Sequence, residues 1–332
     1  MKKILNNPDE YVDEMLDGII AAYPDIYQRE GDSGRVIKRT EITAGKVGIV
    51  TGGGSGHLPL FHGYIGQGLV DACAVGNVFA GPRVNDCLEA MKACHAGAGV
   101  LQLYGNYGGD KMNFDMAQEF AILEGMQVTS VRMTDDIASA PVEEKHKRRG
   151  VAGMVYAYKL AGAKADTMAS LEEVTAVANK AVEACCSIGV ALSSCVIPES
   201  GKPAFELGED EIEFGMGIHG EPGIWRSKLR TANELSMEMI DLINQERNFK
   251  AGDRVSIMVN SLGATPLEEL YIVYKSVKKL LSKKQVQIVM PLIGRYATSM
   301  EMSGFSITVC QLDDELEHLL LSPAKSPFWS QS

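Results

Sequence analysis

The stretch "KVGIVTGGG", residues 46–54, runs on into "SGHLP" at 55–59. Its apolar half has strand length and is closed by glycines, so it reads as a buried strand entering a glycine loop, 52–57. In an open α/β sheet that carboxyl end is where ligands bind. Bare backbone N–H groups there can cradle a phosphate or hydrogen-bond a carbonyl or hydroxyl ligand. The loop is not a Walker loop, because no Lys-Ser/Thr follows, and GGGSG is not GxGxxG with its ribose-binding acid. A structural turn would use the same residues. His57, just past the glycines, tilts the reading toward a site.

Working outward, strand-length apolar runs alternate with amphipathic stretches. Strands are expected at 70–79, 99–107 and 127–133, and helices at 84–96 and 112–125. "EKHKRRGVAGMVYAYKLAGA" (144–163) reads as a helix, and "IGVALSSCVI" (188–197) as a strand. This alternation implies parallel sheet and an α/β fold. The segment 197–211 is rich in Pro, Gly and acids and loses periodicity, which sets the expected division: an N-terminal α/β domain, 1–196, and a C-terminal α/β domain, 197–332. Beyond it, "IEFGMGIHG" reads as a strand ending at His219. Ser170 with Glu173, Thr231 with Glu234 and Thr265 with Glu268 have capping-box spacing. The expected fold class is two α/β domains with mainly parallel or mixed sheets.

Composition narrows the function. Of 332 residues 45% are hydrophobic and 23% charged, a globular balance, and the formal net charge is −11. Such acidity gives no general attraction for nucleic acid or anionic membranes, so neither is expected as a direct partner. The basic run "KHKRR" (145–149) reads as a solvated helix face. No apolar run reaches the ~18 residues of a membrane span, and the charged N-terminus lacks a signal-peptide core. Seven cysteines without CxxC or disulfide-like spacing suggest reduced thiols and a cytoplasmic protein.

Two further positions end strands in glycine-rich loops. In "GMGIHGEPG" (215–223) one imidazole sits among four glycines, presented where a small molecule and main-chain amides must come close. In "YGNYGGDKMNF" (104–114) Asp110 reads as a general base or as a helix N-cap with Asn113 nearby. His57, Asp110 and His219 together make a convergence. His62 reads as a core residue, and His95, His146 and His318 as structural or solvated. No metal-ligand spacing occurs, so no metal site is expected.

These motifs, "GGGSGH", "NYGGDKMNF", "GIHGEPG", "NSLGATPLEELY", "ATSMEMSGFSITVCQLDDEL" and the Pro-Phe-Trp tail, resemble the dihydroxyacetone-binding subunit of the dihydroxyacetone kinase family across essentially the whole chain. The resemblance implies that His219 attaches dihydroxyacetone covalently, its ring nitrogen adding to C2 as a hemiaminal. It also implies that Gly54, Ser55, Gly56 and His57 contact the ketose, and that His57 and Asp110 form an acid/base pair at its hydroxyl. A homodimer is implied, with a first domain similar to the IIA domain of the mannose phosphotransferase system. No cofactor is expected in this chain; ADP and magnesium would sit on a partner subunit.

Departures from the family pattern shape the expected role. The usual GSGHEP has Leu58 in place of its acid, the usual lysine position is Gly105, and "AGP" (80–82) replaces Thr/Ser-Ser-Pro. A cation near the reacting hydroxyl stabilises phosphoryl charge in transit; Lys111 or Arg83 could stand in. Gly105 and Leu58 put the leading expectation on the family's co-activator role, a ketose sensor that joins a TetR-type transcription factor. The alternative is the kinase subunit itself, acting on dihydroxyacetone or a related short ketose with an ADP-binding subunit and a phosphohistidine donor.

Overall fold

A computed structural model describes residues 2–332. After α1 (Tyr11–Ala22) come β1 (Tyr27–Glu30), β2 (Val36–Arg39), β3 (Gly48–Ser55), β4 (Ala72–Val78), α2 (Val84–Cys94), β5 (Val100–Gly105), α3 (Gly108–Leu123) and β6 (Val128–Met133). Then α4 (Met154–Asp166) and α5 (Leu171–Ala184) lead to β7 (Cys185–Ala191), β8 (Glu211–Phe214), β9 (Trp225–Lys228), α6 (Ala232–Arg247), β10 (Arg254–Ser261), α7 (Leu267–Lys283), β11 (Gln287–Gly294), β12 (Gly304–Leu312) and α8 (Asp314–Leu321). A small hairpin, β13 (Ala324–Ser326) with β14 (Trp329–Gln331), closes the chain.

The first sheet has the order β1-β2-β4-β3-β5-β6. Its β4, β3, β5 and β6 are parallel, while β1 and β2 add antiparallel at one edge. The chain steps from β3 to β4 on one side and then crosses to β5 on the other. That reversal opens a crevice at the carboxyl ends of β3 and β5. The glycines expected as a loop are themselves strand: β3 runs buried through Gly52–Gly54 to Ser55. A Cβ at Gly53 would lie 2.2 Å from the Phe61 ring, and one at Gly54 2.7 Å from the Ala80 nitrogen. Glycine is there because its neighbours close in, leaving no room for a side chain.

The second sheet has the order β11-β10-β12-β7-β8-β9, and only β10/β11 is parallel. The expected division at 196/197 is therefore corrected. Strand β7 lies before it yet pairs with β12 and β8, so the chain enters the second sheet by residue 185. The aperiodic 197–211 segment is part of the connection from β7 to β8 within that sheet. Other expectations also shift: β8 stops at Phe214, five residues short of His219, and α4 begins only at Met154. The capping boxes at Ser170 and Thr231 form. The one at Thr265 does not, because its hydroxyl is spent on the carbonyl and N–H of Gly304.

Helix α4 is buried around nearly its whole circumference, Lys159 included, as a helix packed on several sides must be. One continuous core joins Ile49 and Leu101 of the first sheet, α4 and α5, and Met258 and Leu312 of the second. The Tyr156 hydroxyl meets Ser256 Oγ at 2.8 Å within it. All seven cysteines are buried free thiols. Among the described residues no helix is long and apolar enough to cross a membrane, and no group of three potential metal ligands occurs.

Candidate ligand-binding site

His57 follows β3 directly and is 1% exposed. Its Nδ1 donates to the Thr298 carbonyl at 2.7 Å, which leaves Nε2 as a lone-pair acceptor. That Nε2 is buried without a partner. Burial, and then the neighbouring His219, push the His57 pKa down to about 3, so the ring is neutral at any ordinary pH. A neutral imidazole acceptor with nothing to accept costs free energy unless a ligand supplies the hydrogen.

His219 lies in the turn after β8, its ring centroid 4.8 Å from that of His57. Tyr107 and Phe79 stand edge-on to it at 4.7 and 5.5 Å, and Phe79 also stacks on His57 at 5.1 Å. Nδ1 of His219 is 2.8 Å from Glu221 Oε1, and Glu221 Oε2 accepts the His219 main-chain N–H at 3.0 Å. Burial disfavours the Glu221 carboxylate, yet the hydrogen bond and charge of His219, the main chain and Arg149 outweigh it, holding the pKa down at about 2. An ionised carboxylate only accepts, so Nδ1 carries a proton, and in the neutral ring the lone pair is therefore on Nε2.

Asp110 sits in the first turn of α3, which begins four residues earlier than the sequence suggests. It does not cap the helix; no side chain does. Asn113 instead donates to the Pro82 carbonyl at 2.8 Å, tying α3 to the turn after β4. Asp110 packs against Gly81, where a Cβ would lie 3.2 Å from its carboxyl. Burial raises its pKa to about 6, with His219 pulling the other way.

The second sheet holds this arrangement together. Met300 donates to the Gly56 carbonyl at 2.7 Å, Thr298 Oγ1 to Leu58 at 3.0 Å, and Ser299 Oγ to Ile218 at 2.5 Å. One segment thus fixes the His57 loop and the His219 turn relative to each other. The structure brings His57, Asp110, His219 and the Gly54–Gly56 strand end together. Ser55 is the exception in detail: its hydroxyl donates to the Gly76 carbonyl at 2.8 Å and its own carbonyl accepts from the Phe79 N–H at 3.1 Å. Sequence reading missed Phe79, Tyr107, Glu221, Thr298 and Ser299. Only Glu221 left a signal, as the acid two residues after the imidazole.

Of the three departures, Leu58 and Gly105 fall in different places. Leu58 lines a cavity of about 460 Å³ with Lys3, His62, Arg295 and Glu301, which borders the site through Gly56 and Thr298 but is not lined by His57, Asp110 or His219. Gly105 is next to the site, and a Cβ there would lie 3.1 Å from the Tyr107 ring. Lys111 and Arg83 are both exposed.

A two-sheet α/β protein with a pair of facing imidazoles and a carboxyl at a strand-end crevice is the class these features define. Residues 17–328 match the Dak1 domain, and the chain belongs to that family. It is 45% identical over 316 residues to the dihydroxyacetone-binding subunit DhaK of PTS-dependent dihydroxyacetone kinase 1 from Listeria innocua, covering 95% of each chain. It is 43% identical over 314 residues to the corresponding subunit from Lactococcus lactis, covering 95% of this chain and 94% of that one. Among solved structures, the dihydroxyacetone kinase operon co-activator Dha-DhaQ superposes with a TM-score of 0.90 at 32% identity, covering 98% of this chain and 99% of that one.

Proposed function

We propose that this protein captures dihydroxyacetone or a related short ketose as a hemiaminal on His219. The observation that carries this reading is the pairing of a histidine whose Nδ1 is held protonated by Glu221 with a buried, partnerless His57 Nε2 beside it. The His219 Nε2 lone pair forms the bond to C2, and the carbonyl π pair moves onto O2. As the ring becomes cationic, Glu221 stabilises it and relays the Nδ1 proton to solvent, while O2 gains one proton from solvent. The balance is one N–C bond made, one C–O π bond broken and no net proton change. A hydroxyl of the bound ketose gives His57 Nε2 its missing hydrogen and lies within reach of Asp110, whose raised pKa suits a base. Selection of a ketone over glycerol follows, since a polyol has no electrophilic carbon. Thermal unfolding with each compound tests this: dihydroxyacetone should raise Tm, and glycerol at the same concentration should not. Equal shifts would overturn it.

For the role built on capture, the kinase-subunit reading gains support from identities of 43–45% to DhaK subunits, while among solved structures the co-activator, at 32%, and the dihydroxyacetone kinase of C. freundii, at 30%, stand level. The co-activator reading, the leading expectation from sequence, keeps Gly105: no cation stands there, beside the site. Supplying the ADP-binding subunit and phosphohistidine donor of a related kinase separates the two. Turnover of dihydroxyacetone supports the kinase subunit. Absence of turnover, with ketose-dependent binding to a TetR-type regulator, supports the co-activator. A homodimer belongs to either role.

A further inference from the structure

His219 offers its Nε2 lone pair only while a proton stays on Nδ1, and Glu221 keeps it there. Both contacts between Glu221 and His219 lie within a single turn, which by themselves do not fix that turn against the sheets. A third contact comes from elsewhere in the chain. Arg149, in the connection between β6 and α4, places Nη1 3.9 Å from Glu221 Oε2. Its own anchorage is firm: Nε and Nη2 contact Asp136 Oδ2 at 2.9 and 2.8 Å, and Nη2 donates to the Gly215 carbonyl at 3.0 Å. Asp136 is in turn stitched to β7, since Ile137 N–H donates to the Ser187 carbonyl at 3.1 Å. The guanidinium is thus held by the first sheet's exit, by β7 and by the end of β8.

A second, independent feature points the same way. A Cβ at Gly217 would lie 2.1 Å from Glu221 Oε2 and 2.5 Å from Arg149 Nη1. Glycine at this position is what leaves the cation and the carboxylate facing each other. The basic run that reads in sequence as a solvated face therefore contributes one member, with its side chain only 13% exposed, to the floor of the site.

We propose that Arg149 is a positioning residue for His219: acting on Glu221 through the gap at Gly217, it holds the imidazole in its Nδ1–H form with Nε2 toward the ligand. This rests on the reading of His219 as the attachment residue. The other groups facing His219 are His57, Asp110 and the Tyr107 ring.

The test is long-range ¹H–¹⁵N correlation of the histidine rings in the full, ligand-free, ¹⁵N-labelled chain, which reports the nitrogen that carries the proton. Wild type should show His219 protonated at Nδ1. Arg149→Met and, separately, Gly217→Ala should show a mixture of tautomers and bind dihydroxyacetone about tenfold more weakly, the scale on which groups behind a ligating imidazole act. Arg149→Lys should restore most of the Nδ1–H signal. If Arg149→Met does not fold, Arg149→Gln, which keeps a polar side chain beside Asp136 but no charge facing Glu221, decides in its place. Folded variants with the wild-type tautomer overturn the proposal. A tautomer that responds to these substitutions in a protein forming no hemiaminal would uphold Arg149 and remove the attachment reading, so the two failures are distinguishable.

Discussion

Asp110 shows what burying a single carboxyl costs in stability. Its folded pKa, about 6, lies above the unfolded value, so above pH 6 the folded state carries a carboxylate that burial disfavours. That penalty shrinks as pH falls from 6 toward 4 and is gone below the unfolded value, where both states are protonated. Asp110→Asn should therefore stabilise the protein by about 1–2 kcal/mol at pH 8, an advantage that shrinks between pH 6 and pH 4. Urea denaturation at several pH values checks the sign; an advantage that grows toward low pH would contradict it. Ketose binding should weaken severalfold as pH falls from 7 to 5, because Asp110 protonates while His57, with a pKa of about 3, stays neutral. Substituting Glu221→Gln should cost about tenfold in affinity by loosening the tautomer of His219. His57, Asp110 and His219 were legible in the sequence because each follows a strand in a glycine-rich segment. Phe79 and Tyr107 were not, since an aromatic residue among apolar runs looks like core. Thr298 and Ser299 act from more than 200 residues beyond His57, a separation no local pattern spans.

Among the elements, β3 departs most usefully from its expected form. The run 46–54 was legible as a buried strand, but the glycines at its end looked like a loop because no side chains remained to show alternation. They continue the strand since Phe61, Phe79 and Ala80 leave no room for anything else. Gly53→Ala should cost about 1–3 kcal/mol by forcing the Phe61 ring aside. A urea midpoint unchanged from wild type would show that the ring moves freely. Capping gives a gentler case: Thr231→Ala removes the acceptor for the Glu234 N–H and should cost about 1 kcal/mol. The matching change at Thr265 acts differently, because that hydroxyl serves Gly304 in the neighbouring strand β12 and caps nothing. Its spacing was right, but a tertiary hydrogen bond claimed the group first. The expected strand to His219 failed for a similar reason: Ile212 and Phe214 carry the buried pattern of β8, and the glycines beyond form a turn.

At the scale of the molecule, the alternation of strands and helices gave the α/β class, and the first sheet has the parallel core it implied. The division of the chain was less legible. A Pro/Gly-rich stretch looks the same whether it separates two bodies or crosses within one sheet, and here it does the latter. The continuous core through α4 and α5 ties the sheets together, so they should unfold as one unit. Trp225 lies in β9 of the second sheet, while Trp329 packs beside Tyr64 near the first. Variants retaining one tryptophan each, Trp225→Phe and Trp329→Phe, should each show fluorescence melts that coincide with the far-UV dichroism of the same variant. Two separated transitions would contradict a shared core. The site depends on the same unity, because His57 follows a strand of the first sheet and His219 one of the second.

The most direct test is ¹³C NMR of the protein with dihydroxyacetone labelled at C2. Bound to wild type, the labelled carbon should leave the ketone region for that of a saturated carbon bearing nitrogen and oxygen, and His219→Ala should abolish the new signal. A saturated wild-type site whose labelled carbon remains a ketone, or an undiminished shifted signal in folded His219→Ala, would contradict covalent capture at this histidine.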